Sequence, residues 1–226
     1  MELSIDTASE LASVALSREG QIVAESAWRC QRNHTVELLP AVDELIAQAG
    51  AQVDGLSAVF VCTGPGMYTG LRVGVSVAQG LARALGLPAL GIGRLELDAY
   101  PHAAFDSPVV AVHRAGRGEL AWASYRGEPW RELSPPLLSR PEELARAIVE
   151  GSLIVGEVDE TLVALLKGRE IIVRGSAAEG RARSLAELGF MRLRAGGTME
   201  PALLRPVHLR PPAIGPQEAR RKAKRG

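Results

Sequence analysis

The chain has 226 residues, 46% of them hydrophobic and 23% charged, and its 26 lysines and arginines are balanced by 26 acids. A net charge of zero excludes a global field that would gather nucleic acid or anionic membrane, and the length allows one large domain or two small ones. Cys30 and Cys62 show no CxxC spacing, which fits reduced, buried thiols rather than a disulfide framework. Acids and arginine interrupt residues 1–20, so no signal peptide is readable. No apolar run approaches the roughly 18 residues of a membrane helix. The expectation is a soluble, cytoplasmic protein.

Residues 2–9 open as a short strand ending in Asp6 and Thr7. Residues 12–17 and 21–28 read as two more strands, with Arg18-Glu19-Gly20 as a hairpin turn. A helix starts near Asn33, runs through Leu38, Val42, Leu45 and Ile46, and stops at Gly50. Residues 59–82 are the most informative stretch. They read as a strand covered on both faces, a break at Gly64-Pro65-Gly66, and a helix for which Thr69 is a candidate cap. Gly66, Gly70, Gly74, Ala78 and Ala82 recur every four residues. A helix-interior glycine costs about 0.5–1 kcal/mol relative to alanine, so the stripe implies close packing by a ligand, by the chain's own sheet or by another protein. Pro88 and residues 91–93 bound a further strand.

The second half repeats an α/β alternation without a glycine motif. Residues 108–112 and 119–125 read as paired strands across Gly116-Arg117-Gly118. Helices are predicted over 141–148, 159–166 and 178–188, and strands over 153–156 and 170–173. A boundary falls near residues 100–108. From Ala195 the chain is rich in proline and glycine and reads as a surface loop. It ends in the basic run Arg220-Arg221-Lys222-Ala223-Lys224-Arg225, either solvated or an RNA-contacting arm.

No catalytic constellation emerges. A Walker loop requires lysine after its last glycine, but Leu71 and Arg72 follow Gly70. Gly64, Gly66 and Gly70 approach a dinucleotide fingerprint. Yet three strands and a helix precede them, and no acid ends the following strand. Amides at the helix start, with Asp6, Thr7, Gly64, Gly66 and Thr69, remain a candidate nucleotide or anion site, and a turn-forming Asp-Thr pair is the alternative. A metal helix would place a second histidine one turn after His34, where Leu38 stands, so His34 reads as a capping or interface residue and no metal site is expected. His102, His113 and His208 stand alone, and Glu96 and Asp98 read as a solvated helix face. Trp28, Trp122 and Trp130 read as packing residues.

Ile5-Asp6-Thr7-Ala8, His34…Leu38-Leu39-Pro40 and Gly64-Pro65-Gly66-Met67-Tyr68-Thr69-Gly70-Leu71-Arg72-Val73-Gly74 together resemble the TsaB family of bacterial tRNA threonylcarbamoyladenosine biosynthesis proteins. The match in order and spacing covers roughly residues 1–95. The family's Ser-Phe is Met67-Tyr68 here, the leading acid of its Asp-Ala-Arg-Arg-Gly-Glu stretch is Arg114, and the tyrosine of its Pro-x-Tyr-Leu-Arg segment is His208. The resemblance implies an α/β, actin-like and Hsp70-like ATPase fold of two similar, ribonuclease-H-like subdomains, at residues 1–104 and 105–205, with a proline-rich, basic tail at 206–226.

It also implies a non-catalytic scaffold that requires no cofactor of its own. Its partners would be a TsaD-like enzyme that transfers threonylcarbamoyl to N6 of the adenosine 3′ of the anticodon, a TsaE-like ATPase, tRNA indirectly through the complex, and a second copy as a homodimer. ATP or ADP is a candidate ligand at the TsaD interface. Helices 34–49 and 67–85 would supply the docking surface, with His34, Leu38, Val42, Leu45, Gly70, Val73, Gly74, Val77, Ala78 and Leu81. The alternative is a stand-alone small-molecule kinase of the same fold, with Asp6 at the phosphates.

Overall fold

The computed structural model describes residues 1–30, 33–175 and 180–209. Strands β1 (Glu2–Asp6), β2 (Leu11–Arg18) and β3 (Gln21–Arg29) form an antiparallel meander. Helix α1 (His34–Gln48) leads to β4 (Ala58–Gly64), which lies parallel to β1. Helix α2 (Tyr68–Leu85) leads to β5 (Ala89–Gly93), parallel to β4, and the sheet order is β3-β2-β1-β4-β5. Alternation along the strands divides the core in two. Leu3, Ile5, Val59 and Val61 pack with Leu38, Val42 and Leu45 of α1 and with Val75 and Ala78 of α2. Phe60 and Cys62 point to the opposite face. With both faces covered, β4 is buried along its whole length, which is why its sequence is continuously apolar.

Helix α3 (Arg94–Ala99) leads through a short 3-10 turn to the second sheet. Strands β6 (Val109–Gly116), β7 (Glu119–Arg126) and β8 (Arg131–Ser139) form its meander. Helix α4 (Pro141–Ala147), β9 (Leu153–Gly156), helix α5 (Glu160–Leu165) and β10 (Ile172–Val173) follow, with β9 parallel to β6 and β10 parallel to β9. The order is β10-β9-β6-β7-β8. Read from their outer meander strands, both sheets run third-second-first-fourth-fifth. This is the ribonuclease-H-like plan used twice, the actin-like α/β architecture. Helix α3 lies between the sheets, with Leu97 in the core of the first and Leu95 and Ala99 in that of the second.

Helix α6 (Ala182–Arg194) departs from the expected division at residue 105. It packs across the first sheet, where Leu185 and Leu188 cover Phe60 and Cys62. The chain therefore builds the second sheet as far as β10 and then returns. Met199 N–H donates to Ala89, Leu204 is buried in the first core, and Val207 N–H donates to the Thr63 carbonyl at 2.7 Å. The physical reason is the second face of the first sheet, which α6 covers together with α3. The expected helix at 178–188 starts later, at Ala182, and residues 178–179 lie outside the described residues. Of the expected tail at 206–226, residues 206–209 line the first lobe and the remainder lies outside the described residues. Strand β8 was not anticipated, because Pro135 and Pro136 interrupt it; an edge strand tolerates them.

The small-residue stripe packs on the chain's own sheet. A Cβ at Gly70 would overlap the Thr7 carbonyl oxygen, and one at Gly74 would overlap Thr7 Oγ1. That hydroxyl donates to the Gly70 carbonyl at 2.7 Å. Thr69 does not cap α2; Met67 holds that position with no side-chain bond, and its N–H donates to Ala8. A Cβ at Gly80, on the same helix, would meet nothing within 4 Å. Gly70→Ala is thus expected to cost about 1–3 kcal/mol through overpacking. Gly80→Ala should leave stability unchanged or raise it by up to about 1 kcal/mol. Urea denaturation of the two variants checks the pair, and equal effects would contradict the packing described.

Candidate functional site

In this topology the carboxyl ends of the inner strands of both sheets converge on the crevice between the lobes, the usual ligand position in open α/β sheets. Asp6 ends β1 there, fully buried. Its Oδ1 accepts the Ala8 N–H at 2.9 Å, and its Oδ2 accepts from Arg181 Nη1 at 3.1 Å. Arg181 Nε donates to Asp98 Oδ1 at 2.6 Å, and the Arg181 backbone N–H donates to Ser13 Oγ at 3.1 Å. Burial disfavours a charged guanidinium, but Asp98 and Asp6 outweigh it and hold Arg181 ionised. The other oxygen of Asp98 lies 3.4 Å from Arg94 Nε. Arg94 is buried and extends to the second lobe, where it pairs with Glu157 and meets His113 Nδ1 at 2.9 Å.

Glu157 Oε2 in turn lies 2.8 Å from His113 Nδ1. That nitrogen accepts from Arg94 only when unprotonated and donates to Glu157 only when protonated. Burial would raise the Glu157 carboxyl. The hydrogen bond to His113 and the Arg94 charge prevail and hold it well below the usual carboxylate range. A continuous run of ion pairs thus joins β1 of one sheet to β6 and β9 of the other. Asp98 is not on a solvated face as expected, and Glu96 pairs with Arg192 and accepts from Trp130. His113 does not stand alone.

The candidate anion residues are not gathered around a common hollow. Asp6 is bound to Arg181, and the Thr7 hydroxyl is spent on Gly70. A Cβ at Gly66 would overlap the Ala8 carbonyl, Gly64 lies against Leu71, and Thr69 is exposed in the first turn of α2. Among the described residues no group of three or more histidine, cysteine or acidic side chains is placed to hold a metal. The thiols are poor nucleophiles: burial pushes Cys62 up, and burial with a Glu37 hydrogen bond pushes Cys30 up to about 11.

The proposed docking residues also divide. His34, Leu38, Val42, Leu45, Gly70, Gly74 and Ala78 are buried within the chain and have no surface to offer a partner. His34 Nε2 lies 3.1 Å from the Ser9 carbonyl. Val73, Val77 and Leu81 are half-buried and pack against the core of the first lobe. The large hydrophobic residues that α1 and α2 present to solvent are Val36 at 72% exposure, Leu39 at 47% and Tyr68 at 42%, among exposed polar residues such as Asp43, Glu44, Arg72 and Ser76. Sequence periodicity selects the stripe that faces the sheet. The signal for the outer face was the surplus, Val36 and Leu39, lying off that stripe.

Two measurements test the network. Arg181→Ala leaves Asp6 and Asp98 buried without their shared cation and should cost about 3–5 kcal/mol, read as a fall in the denaturation midpoint. Glu157 is depressed in the folded state. Its stabilisation is therefore complete above the ordinary carboxyl value of 4.5 and is lost as pH falls below it. Glu157→Gln should be less stable than the wild type at pH 7, with the gap narrowing toward pH 3. A gap independent of pH would contradict the ion pairing.

The family model for TsaD, tRNA N6-adenosine threonylcarbamoyltransferase, matches residues 13–154, well over half of the chain. The tRNA threonylcarbamoyladenosine biosynthesis protein TsaB of Escherichia coli is 34% identical over 145 residues, 62% of this chain and 62% of its own length. TsaB of Bacillus subtilis is 35% identical over 124 residues, 55% of this chain and 54% of its own. The chain thus spans less than two thirds of these curated relatives. A solved structure from Pseudomonas aeruginosa, described as an uncharacterized protein with similarity to peptidase YeaZ, superposes with a TM-score of 0.79 at 28% identity, covering 92% of this chain and 99% of that one. No helix among the described residues is long and apolar enough to cross a membrane. By family model, relatives and fold, the chain belongs to the TsaB–TsaD family of tRNA threonylcarbamoyladenosine biosynthesis proteins, on its TsaB side.

Proposed function

We propose that the chain is a non-catalytic subunit of the assembly that transfers threonylcarbamoyl to N6 of the adenosine 3′ of the anticodon in tRNA. In this reading it docks on a TsaD-like catalytic relative through the outer face of α1 and α2, and a TsaE-like ATPase joins the same assembly. The observation that carries the reading is the division of labour between two surfaces. In the crevice, where a kinase of this architecture would hold phosphates, Asp6 and Asp98 are engaged by the chain's own Arg181. Helix α1 instead leaves Val36 and Leu39 in water. Exposed large hydrophobes one turn apart on a helix are the kind of group an interface core uses. ATP or ADP used by the assembly would then sit at the junction with the partner rather than in this chain's crevice. The same face would pair two copies when the partner is absent.

Docking residues must be exposed, so the informative substitutions are Val36→Glu and Leu39→Glu, neither of which disturbs the core. The double variant should fold as the wild type does, lose co-purification with the TsaD-like partner, and support at least ten-fold less threonylcarbamoyladenosine formation. The assay would contain unmodified tRNA, the partner, the TsaE-like ATPase and a supply of threonylcarbamoyl-adenylate. Wild-type modification by the folded variant would remove the docking face. Modification that proceeds without the chain, alongside ATP turnover by the chain alone that is lost in Asp6→Asn, would favour the kinase reading instead.

A further inference from the structure

We infer that the cavity between the β2–β3 hairpin turn, helix α6 and Tyr100 is a binding site for a small organic cation, an aliphatic amine or guanidine on an apolar stem. It lies on the face of the first sheet opposite α1 and α2, and it does not depend on the docking reading above.

Three stretches distant in the sequence line this hollow of about 510 Å³: residues 19–22, Tyr100, and Arg183, Glu187, Phe190 and Met191 of α6. Small-molecule sites span roughly 300–1,000 Å³. The walls are fixed from within. Glu2, buried in β1, accepts from Ser17 Oγ at 2.6 Å and from the Glu19 backbone N–H at 3.1 Å, which fastens the turn. Gly20 then lies against α6, where a Cβ on it would come within 3.0 Å of the Phe190 Cβ. On the other wall Tyr100 Oη donates to Met191 Sδ at 3.4 Å, and the Tyr100 ring meets Trp130 edge-on at 5.4 Å.

The lining calls for positive charge. Glu19 and Glu187 both border the hollow, and among the described residues neither carboxylate has an ion-pair partner. Arg183, the cation on the same wall, is engaged by Glu25. Burial pushes the Glu187 carboxyl up against the pull of the Arg183 charge, as befits a carboxylate that has given up water without gaining a counter-ion. Among the described residues no third acid, histidine or cysteine joins these two to hold a metal. The phenol, the phenyl ring and the thioether instead offer polarizable surface, which suits a weakly hydrated cation and the hydrocarbon that carries it. Two carboxylates at one hollow suit a ligand with a charge at each end.

The test is titration calorimetry of the full chain with agmatine, which carries an ammonium and a guanidinium on one short stem. One saturable site is expected, with a dissociation constant below a millimolar. 1,4-Butanediol, of similar length and uncharged, should not bind. Glu187→Gln and Glu19→Gln should each weaken agmatine binding at least five-fold, and Tyr100→Leu roughly 2- to 5-fold. Glu160→Gln, on α5 of the second lobe, should leave it unchanged. Denaturation midpoints establish that each variant is folded. Glu19 is exposed, so its variant decides the matter if Glu187→Gln unsettles α6. Acetyl-arginine amide, with one charge, should bind more weakly than agmatine. Tighter binding of that amide overturns the free cation in favour of a protein side chain. No saturation by 10 mM agmatine, full affinity in either charge variant, or equal binding of the diol overturns the site.

Discussion

A single guanidinium sits between the two acids on which the architecture closes. Arg181 stands at the entry to α6, with Asp6 of β1 on one side and Asp98 of α3 on the other, and its own backbone and that of Ala182 donate to Ser13 of β2. Taking one cation and two carboxylates out of water is expensive, and the arrangement persists only because each has a partner at hydrogen-bonding distance. The same pairings fix the register of three elements from distant parts of the chain. Arg94 then carries the connection from α3 to Glu157 of the second sheet. Without this set the two lobes would share mainly the apolar packing of α3.

The residues that the sequence offered to an anion are committed within the chain. The strand ends still converge, Asp6 still ends the first strand, and the glycine turn still precedes a long helix. Each has been turned inward: the acid to an arginine, the threonine hydroxyl to a helix carbonyl, and the glycines to close contact with the Thr7–Ala8 backbone. The residues most suggestive of nucleotide binding are the ones that knit α2 to β1.

Much of the first sheet was legible in the sequence, because its signals are local. The Arg18-Glu19-Gly20 turn, the apolar run of β4 and the 38, 42, 45, 46 spacing of α1 each report on their neighbours within a few residues. The even recurrence of Gly70, Gly74 and Ala78 announced close packing but not its object, since spacing along a helix does not say which side faces the sheet. Glu96 and Asp98 were misread for a related reason. Their partners, Arg192 and Arg181, are more than 80 residues away, and a charged residue on a short helix carries no mark of burial. The family resemblance named residues of α1 and α2 without separating those that face the sheet from those that do not. Seven of the ten named residues are in the core, while Val36 and Leu39, which the periodicity discards, are outside it.

The return of α6 to the first sheet bears on how the protein is made. Synthesis proceeds from the amino end, and domains tend to fold as they emerge. Here the lobe that emerges first lacks Arg181, Leu185, Leu188 and Leu204 until nearly the whole described chain has been translated. The second sheet, uninterrupted from β6 to β10, has every one of its strands before that point. The later lobe can therefore be complete while the earlier one still exposes Phe60 and Cys62 and leaves Asp6 without its cation. A nascent chain stalled before residue 181 would carry the first lobe in a form that a ribosome-associated chaperone would recognise as unfinished.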